Sequence, residues 1–159
     1  MLSIAQPPIS KIVKIVKSQN IKKNMGSAKY NHRTAILESK FEGNITIEEL
    51  IESSLAIKEN KSYPRFLKIL IDFKKAFANF HSNDLTLLAE EYLKVIEKYD
   101  FIIMAIILDT PKETAFAMLF QSLIKDNTSK YQVFSTREAA ISWLNNYTES
   151  NCKSVKNYI

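Results

Sequence analysis

Residues 101–108 read Phe-Ile-Ile-Met-Ala-Ile-Ile-Leu, the longest uninterrupted apolar run in the chain. The run is too short for a membrane helix, which needs about 20 apolar residues. A short apolar run without polar alternation is typical of a strand that helices cover on both faces. This stretch therefore predicts a parallel sheet inside an α/β domain.

The segments around this strand alternate between helical and strand patterns. Four helices are predicted, each opening with a residue type that favours the first helical turn: Thr46, Ser82, Pro111 and Thr136. The predicted strands cover residues 34–41, 66–73, 101–108 and 131–134. This order, β-α-β-α-β-α-β-α from Thr34, predicts one α/β domain with a largely parallel sheet.

The first helix carries the clearest local signal. Thr46-Ile47-Glu48-Glu49 has the spacing of a capping box, in which Glu49 reaches back to the amide of Thr46. The preceding Glu42-Gly43-Asn44 predicts a turn, and residues 74–81 are predicted to be a connection.

The N-terminal segment, residues 1–33, gives a mixed pattern. In residues 10–17 (SKIVKIVK) the apolar spacing fits a helix face, whereas the β-branched residues favour a strand. We expect residues 10–17 to form a first strand antiparallel to its neighbour, followed by a loop over 20–31. The sheet would then be mixed and five-stranded, with about four helices. The domain is expected over 34–147 and a polar, frayed C-terminal tail over 148–159; Met25 is a second candidate start codon, so residues 1–24 need not be native.

The charge is concentrated at the N-terminus. The net charge is +5, and residues 1–33 hold seven cations and no acids, which leaves 15 cations against 17 acids in residues 34–159. A nucleic-acid-binding face would place cations on the folded body, so nucleic acid is not expected as a partner. The single cysteine, Cys152, excludes an intramolecular disulfide, and no apolar leader follows Met1. We expect a bacterial, cytoplasmic protein without stable membrane insertion.

An ordered set of motifs resembles a known family. The motifs are Phe41-Glu42-Gly43-Asn44-Ile45-Thr46, Ile71-Asp72-Phe73, Ser82-Asn83-Asp84-Leu85, Ala105-Ile106-Ile107-Leu108-Asp109 and Val133-Phe134-Ser135-Thr136-Arg137-Glu138-Ala139-Ala140-Ile141-Ser142-Trp143-Leu144. Together they resemble the STAS domain of anti-sigma-factor antagonists, and most closely the bacterial STAS/SEC14-like family of uncertain function. The resemblance covers residues 34–147.

The resemblance implies a non-enzymatic regulatory domain that binds a protein partner or a small ligand. In the sporulation antagonists, a serine at the start of the second helix is phosphorylated to switch off partner binding. Ser82 is the matching position and is therefore a candidate phosphorylation site. Its neighbours, Phe80-His81-Ser82-Asn83-Asp84, differ from the Asp-Ser-Ser-Gly-like context of that family.

The candidate binding residues gather at the carboxyl ends of the predicted strands, where open α/β sheets bind ligands. They are Asp72, Phe73, Ser82, Asp84, Asp109 and Thr110. The alternative is structural: an aspartate after a strand accepts amides of the following turn, and Ser82 caps the second helix. Likewise, Phe73, Phe77 and Phe80 either pack beneath the second helix or form an exposed lip.

No catalytic or cofactor motif is present. Neither His32 nor His81 has a partner at metal-ligand spacing, and two glycines, Gly26 and Gly43, are too few for a phosphate-binding glycine loop. No cofactor or metal is therefore expected. A hydrolase that uses Asp72 and Asp109 as paired carboxylates is a third alternative.

Two functions remain open. The leading hypothesis is a regulatory module that binds a protein partner through the second helix and the loops around Asp72, Ser82 and Asp109. The alternative is a carrier of a small apolar ligand or lipid, with a cavity at the carboxyl edge of the sheet and Asp72 or Asp109 at its mouth. A homodimer formed through a strand edge or a helix face is compatible with both.

Overall fold

A computed structural model describes residues 27–156 of the chain, and the side chains of residues 27–153. The strands are β1 (Lys29–Asn31), β2 (Ile36–Ile45), β3 (Phe66–Ala78), β4 (Phe101–Ile107) and β5 (Ser129–Phe134). The helices are α1 (Ile47–Glu59), α2 (Leu85–Ile96), α3 (Pro111–Leu123), α4 (Arg137–Asn145) and α5 (Glu149–Lys156), and a 3-10 turn at Ser82–Asp84 precedes α2. The strand order is β1-β2-β3-β4-β5, with β1 antiparallel to β2 and the other pairs parallel. The predicted α/β class and mixed five-stranded sheet are confirmed.

The sheet separates two apolar layers. Helices α1, α2 and α3 cover one side, which we call the three-helix face; α4 and Cys152 of α5 pack on the other, the two-helix face. Strand β4 is buried over its whole length because its side chains alternate between the two layers. Ile102 and Met104 belong to the three-helix face, and Ile103 and Ala105 to the two-helix face. This is the arrangement that the apolar run at 101–108 predicted.

Strands β2 and β3 are longer than predicted. The predicted turn at Glu42-Gly43-Asn44 and the predicted connection from Lys74 are both wrong, because Glu42–Ile45 pairs with Lys75–Ala78. We call these two paired segments the projecting ribbon, since β4 already ends opposite Asp72. A register shift between Lys40 and Glu42 breaks the alternation, and Gly43 has a φ of 77°, which glycine adopts at little cost.

The two ends of the described chain also differ from prediction. The antiparallel strand of the sheet is Lys29–Asn31, inside the segment predicted as a loop, whereas the strand predicted over residues 10–17 lies outside the described residues. The tail predicted to fray forms α5 over Glu149–Lys156. Cys152 anchors this helix because its side chain, 5% exposed, packs in the layer on the two-helix face.

Helix starts follow the local signals in three of four cases. Thr46 accepts a hydrogen bond from Glu49 N at 3.3 Å and donates its own N–H to the Glu49 carboxylate at 2.8 Å, so the capping box is confirmed. Thr136 caps α4 and Pro111 lies in the first turn of α3, as predicted. Ser82 does not cap α2: Asp84 is at the cap position of that helix, and His81 is at the cap position of the preceding 3-10 turn, where its N–H is donated to Asp84 Oδ2 at 2.9 Å.

Candidate functional site

An apolar cavity of about 110 Å³ lies on the three-helix face, at the carboxyl edge of the sheet. Its wall combines side chains of β2, β3, β4 and β5 with those of α1, α2 and α3. Six phenylalanines and two tyrosines contribute to it, together with aliphatic residues such as Leu50, Leu88 and Ile106. The ring of Phe77, at the end of the projecting ribbon, is 53% exposed, so the wall reaches the surface there.

The aromatic rings hold one another in place around this cavity. Phe41 on β2 and Phe73 on β3 stack with centroids 4.7 Å apart and planes 3° from parallel. On the opposite side, Phe80 packs on Phe116 of α3 with centroids 5.6 Å apart. Ring pairs in these geometries add to the stability that burial alone provides. The cavity is therefore bounded by side chains whose positions are fixed by their neighbours.

One carboxylate, that of Glu113, belongs to the wall. It is buried in the first turn of α3, with 8% of the residue exposed. Its Oε1 accepts the backbone N–H of Ala78 at 3.1 Å, and its Oε2 accepts the hydroxyl of Thr110. Burial raises the pKa of Glu113, but the hydrogen bonds from Thr110 and Ala78 and the charge of Lys112 outweigh it and leave that pKa below its ordinary value. The carboxylate is therefore charged at neutral pH.

The neighbouring residue completes the attachment of β3 to α3. Lys112 Nζ donates to the carbonyl oxygen of Ala78 at 2.9 Å and lies 5.6 Å from the ring centroid of Phe116. Both backbone polar groups of Ala78 are thus held by consecutive residues of α3. We call this attachment of Ala78 to Lys112 and Glu113 the Ala78 latch. It ties the projecting ribbon to α3 at the edge of the cavity.

A polar cleft of about 600 Å³ adjoins the cavity. Three of its lining residues, Ala78, Phe80 and Phe116, also line the cavity. Its polar lining comes from the start of α1, the segment before α2 and the start of α3: Glu48, Asn79, His81, Ser82, Asp84 and Lys112. The cavity and the cleft are therefore neighbouring compartments, one apolar and one polar.

Comparison with known proteins gives a match at the level of structure. No family model matches the chain, and no curated protein does. A solved structure of an uncharacterized protein from the DUF3478 family, from Shewanella loihica PV-4, is described as having a SpoIIAA-like fold. It superposes with a TM-score of 0.52 over 80% of this chain and 98% of its own, at 16% sequence identity.

This chain has a SpoIIAA-like fold. The SpoIIAA-like fold is the STAS fold, so the fold expected from the motifs is confirmed. At 16% identity the likeness establishes the fold, and the neighbour is itself uncharacterized.

Within this SpoIIAA-like fold, four of the predicted site residues lie at the two compartments. Phe73 lines the cavity, and Thr110 contacts its wall through Glu113. Ser82, which is exposed, and Asp84 line the cleft. Their role in binding stays a prediction.

The two predicted aspartates do not meet at a crevice. Asp72 lies inside β3 and alternates with Ile71 and Phe73 of the three-helix face, so it points to the two-helix face, where its Oδ1 accepts the N–H of Lys74 at 3.0 Å. Asp109 is exposed after β4. Neither is among the residues that line the cavity or the cleft, so the expectation that one of them marks the mouth of the cavity is wrong.

The sequence contained an unused signal for the latch. Thr110-Pro111-Lys112-Glu113 has the same Thr-x-x-Glu spacing as the capping box at Thr46. In the structure Thr110 does not accept from the helix backbone; its hydroxyl binds Glu113, and the second carboxylate oxygen is left for Ala78. The spacing could have predicted that the Glu113 side chain folds back onto Thr110. It could not have predicted the hydrogen bond from Ala78 to Glu113, because Ala78 is 35 positions earlier in the chain.

The remaining reactive groups are buried or dispersed. In the part of the chain that the structure describes, the Tyr92 hydroxyl is buried without a hydrogen-bond partner, and burial, with a smaller effect of Asp126, raises the pKa of Tyr92. Burial also raises the pKa of the Cys152 thiol, against smaller opposing effects of Lys130 and Lys68, which makes it a poor nucleophile.

Over residues 27–156 no group of His, Cys, Asp and Glu is placed to hold a metal ion. The helices of the same range are too short or too polar to span a membrane.

Proposed function

We propose that the chain is a non-enzymatic binding domain whose apolar cavity takes a small apolar ligand. The observation that carries the proposal is the cavity itself, with its aromatic and aliphatic wall at the carboxyl edge of the sheet. Ligand sites in α/β proteins occur at this edge, and they are mostly apolar with few polar groups. A location in the bacterial cytoplasm belongs to the same proposal.

The energetics support occupation of the cavity. A ligand that enters the cavity removes its own apolar surface and that of the wall from water, which contributes about 25 cal/mol per Å² of apolar surface buried. It also gains dispersion contacts with the aromatic rings of the wall. The carboxylate of Glu113 already accepts two hydrogen bonds, one on each oxygen, so it is not an unpaired charge in the wall.

Binding of a protein partner is the second candidate function, and a separate observation favours it. The ring of Phe77 is 53% exposed at the end of the projecting ribbon, next to the exposed Lys74 and Lys75. Aromatic residues are enriched in the buried core of protein interfaces, whereas lysines are depleted there and belong to the polar rim. This surface would serve the regulatory role that the anti-sigma-factor antagonists suggest.

The first function is tested by thermal unfolding of the purified chain with a panel of small aromatic and short aliphatic compounds. We expect at least one compound to raise the midpoint in a concentration-dependent way, because a ligand that binds the folded state stabilises it by mass action. The matched control is Ala117→Leu, which enlarges a buried side chain of the cavity wall and should abolish the response. A panel without any shift, or an equal response in Ala117→Leu, would contradict the proposal.

The second function is tested with Phe77→Ser and, as a control on the other side of the sheet, the exposed Ser142→Ala. A partner captured from the host lysate by the native chain should be lost with Phe77→Ser and retained with the control. Equal capture by all three chains would show that Phe77 is not an anchor.

A further inference from the structure

The wall of the cavity contains a buried polar group that has no partner. Tyr92 of α2 lines the cavity and is 3% exposed, and its hydroxyl makes no hydrogen bond to any residue that the structure describes. Two other polar side chains of the wall are already paired. Ser54 donates to the carbonyl oxygen of Leu50 at 3.1 Å, and each carboxylate oxygen of Glu113 accepts a hydrogen bond. Because buried polar groups in folded proteins are nearly always hydrogen-bonded, the Tyr92 hydroxyl points to a partner that the chain does not supply.

Tyr92 lies at the inner end of the cavity. Leu85, Leu88 and Tyr92 follow one stripe of α2, and all three line the cavity. The helix begins at the carboxyl edge of the sheet, after β3, and runs back toward the start of β4. Tyr92 is therefore about 10 Å further from that edge than Leu85, measured along the helix axis. Its ring packs on Phe120 with centroids 5.6 Å apart, and Phe120 packs on Tyr131 at 5.5 Å, so these contacts hold the ring of Tyr92 in place.

The hydroxyl of Tyr92 is a neutral hydrogen-bond donor. Burial raises the pKa of Tyr92, so the hydroxyl keeps its proton at neutral pH, and only an acceptor atom can pair with that proton. The carboxylate among the described lining residues, that of Glu113, is in the first turn of α3 and therefore at the opposite end of the cavity. A charged ligand group beside Tyr92 would leave water without meeting an opposite charge, which is costly. An uncharged acceptor, such as a carbonyl oxygen, fits this position.

A ligand fits this position better than a water molecule does. A buried water makes about three hydrogen bonds, and cavities with apolar walls stay dry. The neighbours of Tyr92 in the wall include Leu88, one turn earlier on α2, and the ring of Phe120, and both are apolar. The size of the cavity also suits a small compound, since an engineered cavity of about 150 Å³ binds benzene. At about 110 Å³, the cavity holds roughly one small ring.

We infer that the ligand is a small, uncharged compound of about one ring with an acceptor oxygen, and that this oxygen binds the Tyr92 hydroxyl at the inner end of the cavity. The inference rests on the proposed ligand-binding function and adds to it the class of ligand and its orientation. Tyr92 then determines specificity, because a hydrocarbon of the same shape would leave the buried hydroxyl unpaired.

Two ring compounds of the same shape test the inference: cyclopentanone, and methylenecyclopentane, in which a CH₂ group replaces the carbonyl oxygen. Their dissociation constants are measured by NMR titration of the full chain, in its native form and as Tyr92→Phe. We expect Tyr92→Phe to weaken binding of the ketone about fivefold, the factor that one average hydrogen bond contributes. The hydrocarbon should bind the variant as tightly as the native chain, or more tightly. A ketone weakened by less than about twofold would overturn the inference.

The matched control is Tyr99→Phe. Tyr99 is also buried, but it is not among the residues that line the cavity, and its hydroxyl donates to the carbonyl oxygen of Ile57 at 2.6 Å. This variant should bind both probes as the native chain does. Without ligand, Tyr99→Phe should lower the thermal midpoint, whereas Tyr92→Phe should leave it equal or higher, because no hydrogen bond is lost. A lower midpoint in Tyr92→Phe would show that its hydroxyl is already paired inside the protein and would overturn the inference.

The outcomes separate this inference from the proposed function. If the hydrocarbon binds and the affinity for the ketone does not depend on the hydroxyl at position 92, the inference is overturned while the cavity site stands. If neither probe binds, or if both bind equally well to Ala117→Leu, the inference and the ligand-binding function are both overturned.

Discussion

Replacement of Glu113 by alanine should loosen the attachment of β3 to α3. The substitution removes the acceptor of the Ala78 N–H at 3.1 Å and the partner of the Thr110 hydroxyl, and both bonds are partly buried. A buried donor left without a partner costs about 1–3 kcal/mol, and a hydrogen bond to a charged group contributes about 1.5–3 kcal/mol. Because the burial of a charge opposes part of this gain, we expect the free energy of unfolding to fall by about 2 kcal/mol.

The measurement is urea unfolding followed by circular dichroism at neutral pH, with thermal unfolding as a second readout. A loss of about 2 kcal/mol corresponds to a midpoint about 4–8 °C lower for a domain of this size. The matched control is Glu113→Gln, which keeps an oxygen for the Ala78 N–H and should lose only about 1 kcal/mol. A loss below about 0.5 kcal/mol in Glu113→Ala, the usual range for surface changes, would refute the latch.

The same carboxylate sets a pH dependence whose sign is fixed by its pKa. The pKa of Glu113 in the folded chain is below the ordinary value of 4.5, so the folded state favours the charged form. Its contribution is therefore complete above about pH 4.5 and is lost as the pH falls through the lower folded-state pKa. The stability difference between the native chain and Glu113→Gln should shrink over that acidic range. A difference that stays constant down to pH 3 would show that the charge of Glu113 contributes nothing.

Three further predictions concern the scaffold of the site. Gly43→Ala should lower the free energy of unfolding by about 1–2 kcal/mol, because Gly43 has a φ of 77° that alanine adopts only with strain; urea unfolding measures it, and an unchanged midpoint would contradict it. Thr46→Ala should cost about 1 kcal/mol through loss of the side-chain cap of α1, whereas Thr46→Ser, which keeps the hydroxyl, should cost less than half of that in the same assay. The thiol of Cys152 should react with Ellman's reagent only slowly in the native chain and fully in denaturant; rapid native reaction would mean that α5 does not pack on the sheet.

Much of the fold follows from local sequence patterns. The run at 101–108 predicted a strand covered on both faces, and the capping box at Thr46 predicted the start of α1. These predictions succeed because they depend on neighbours in the chain: side-chain periodicity, and a cap that binds an amide three residues away. The length of β3 was predicted wrongly because its last residues depend on pairing with a distant strand. Lys75–Ala78 pairs with the end of β2, and the register shift just before it hides the alternation that marks a strand.

The positions of the candidate site residues were harder to predict from the sequence than the fold. Phe73 was chosen as the end of a predicted strand and Ser82 as the start of the next helix, and each lies at one of the two compartments. Asp72 was also chosen as a residue near a predicted strand end, yet its side chain points to the two-helix face. Strand β3 continues past it to Ala78, and side chains along a strand point alternately to the two faces of the sheet. Polar residues near a strand end thus locate the edge of the sheet, whereas the face to which each one points depends on pairing with other strands.

The sequence by itself determined the α/β class, the strand that crosses the core and the caps of α1 and α4, since each rests on spacing within a few residues. The tertiary structure decided the cavity, the Ala78 latch and the burial of Cys152. Glu113 meets Ala78 across 35 positions, and Cys152 is an isolated apolar residue in a polar segment. No local sequence pattern, such as hydrophobic periodicity or a capping motif, predicts contacts of this kind. They join residues that are far apart in the chain, and their free energy comes from surfaces that meet only in the folded protein.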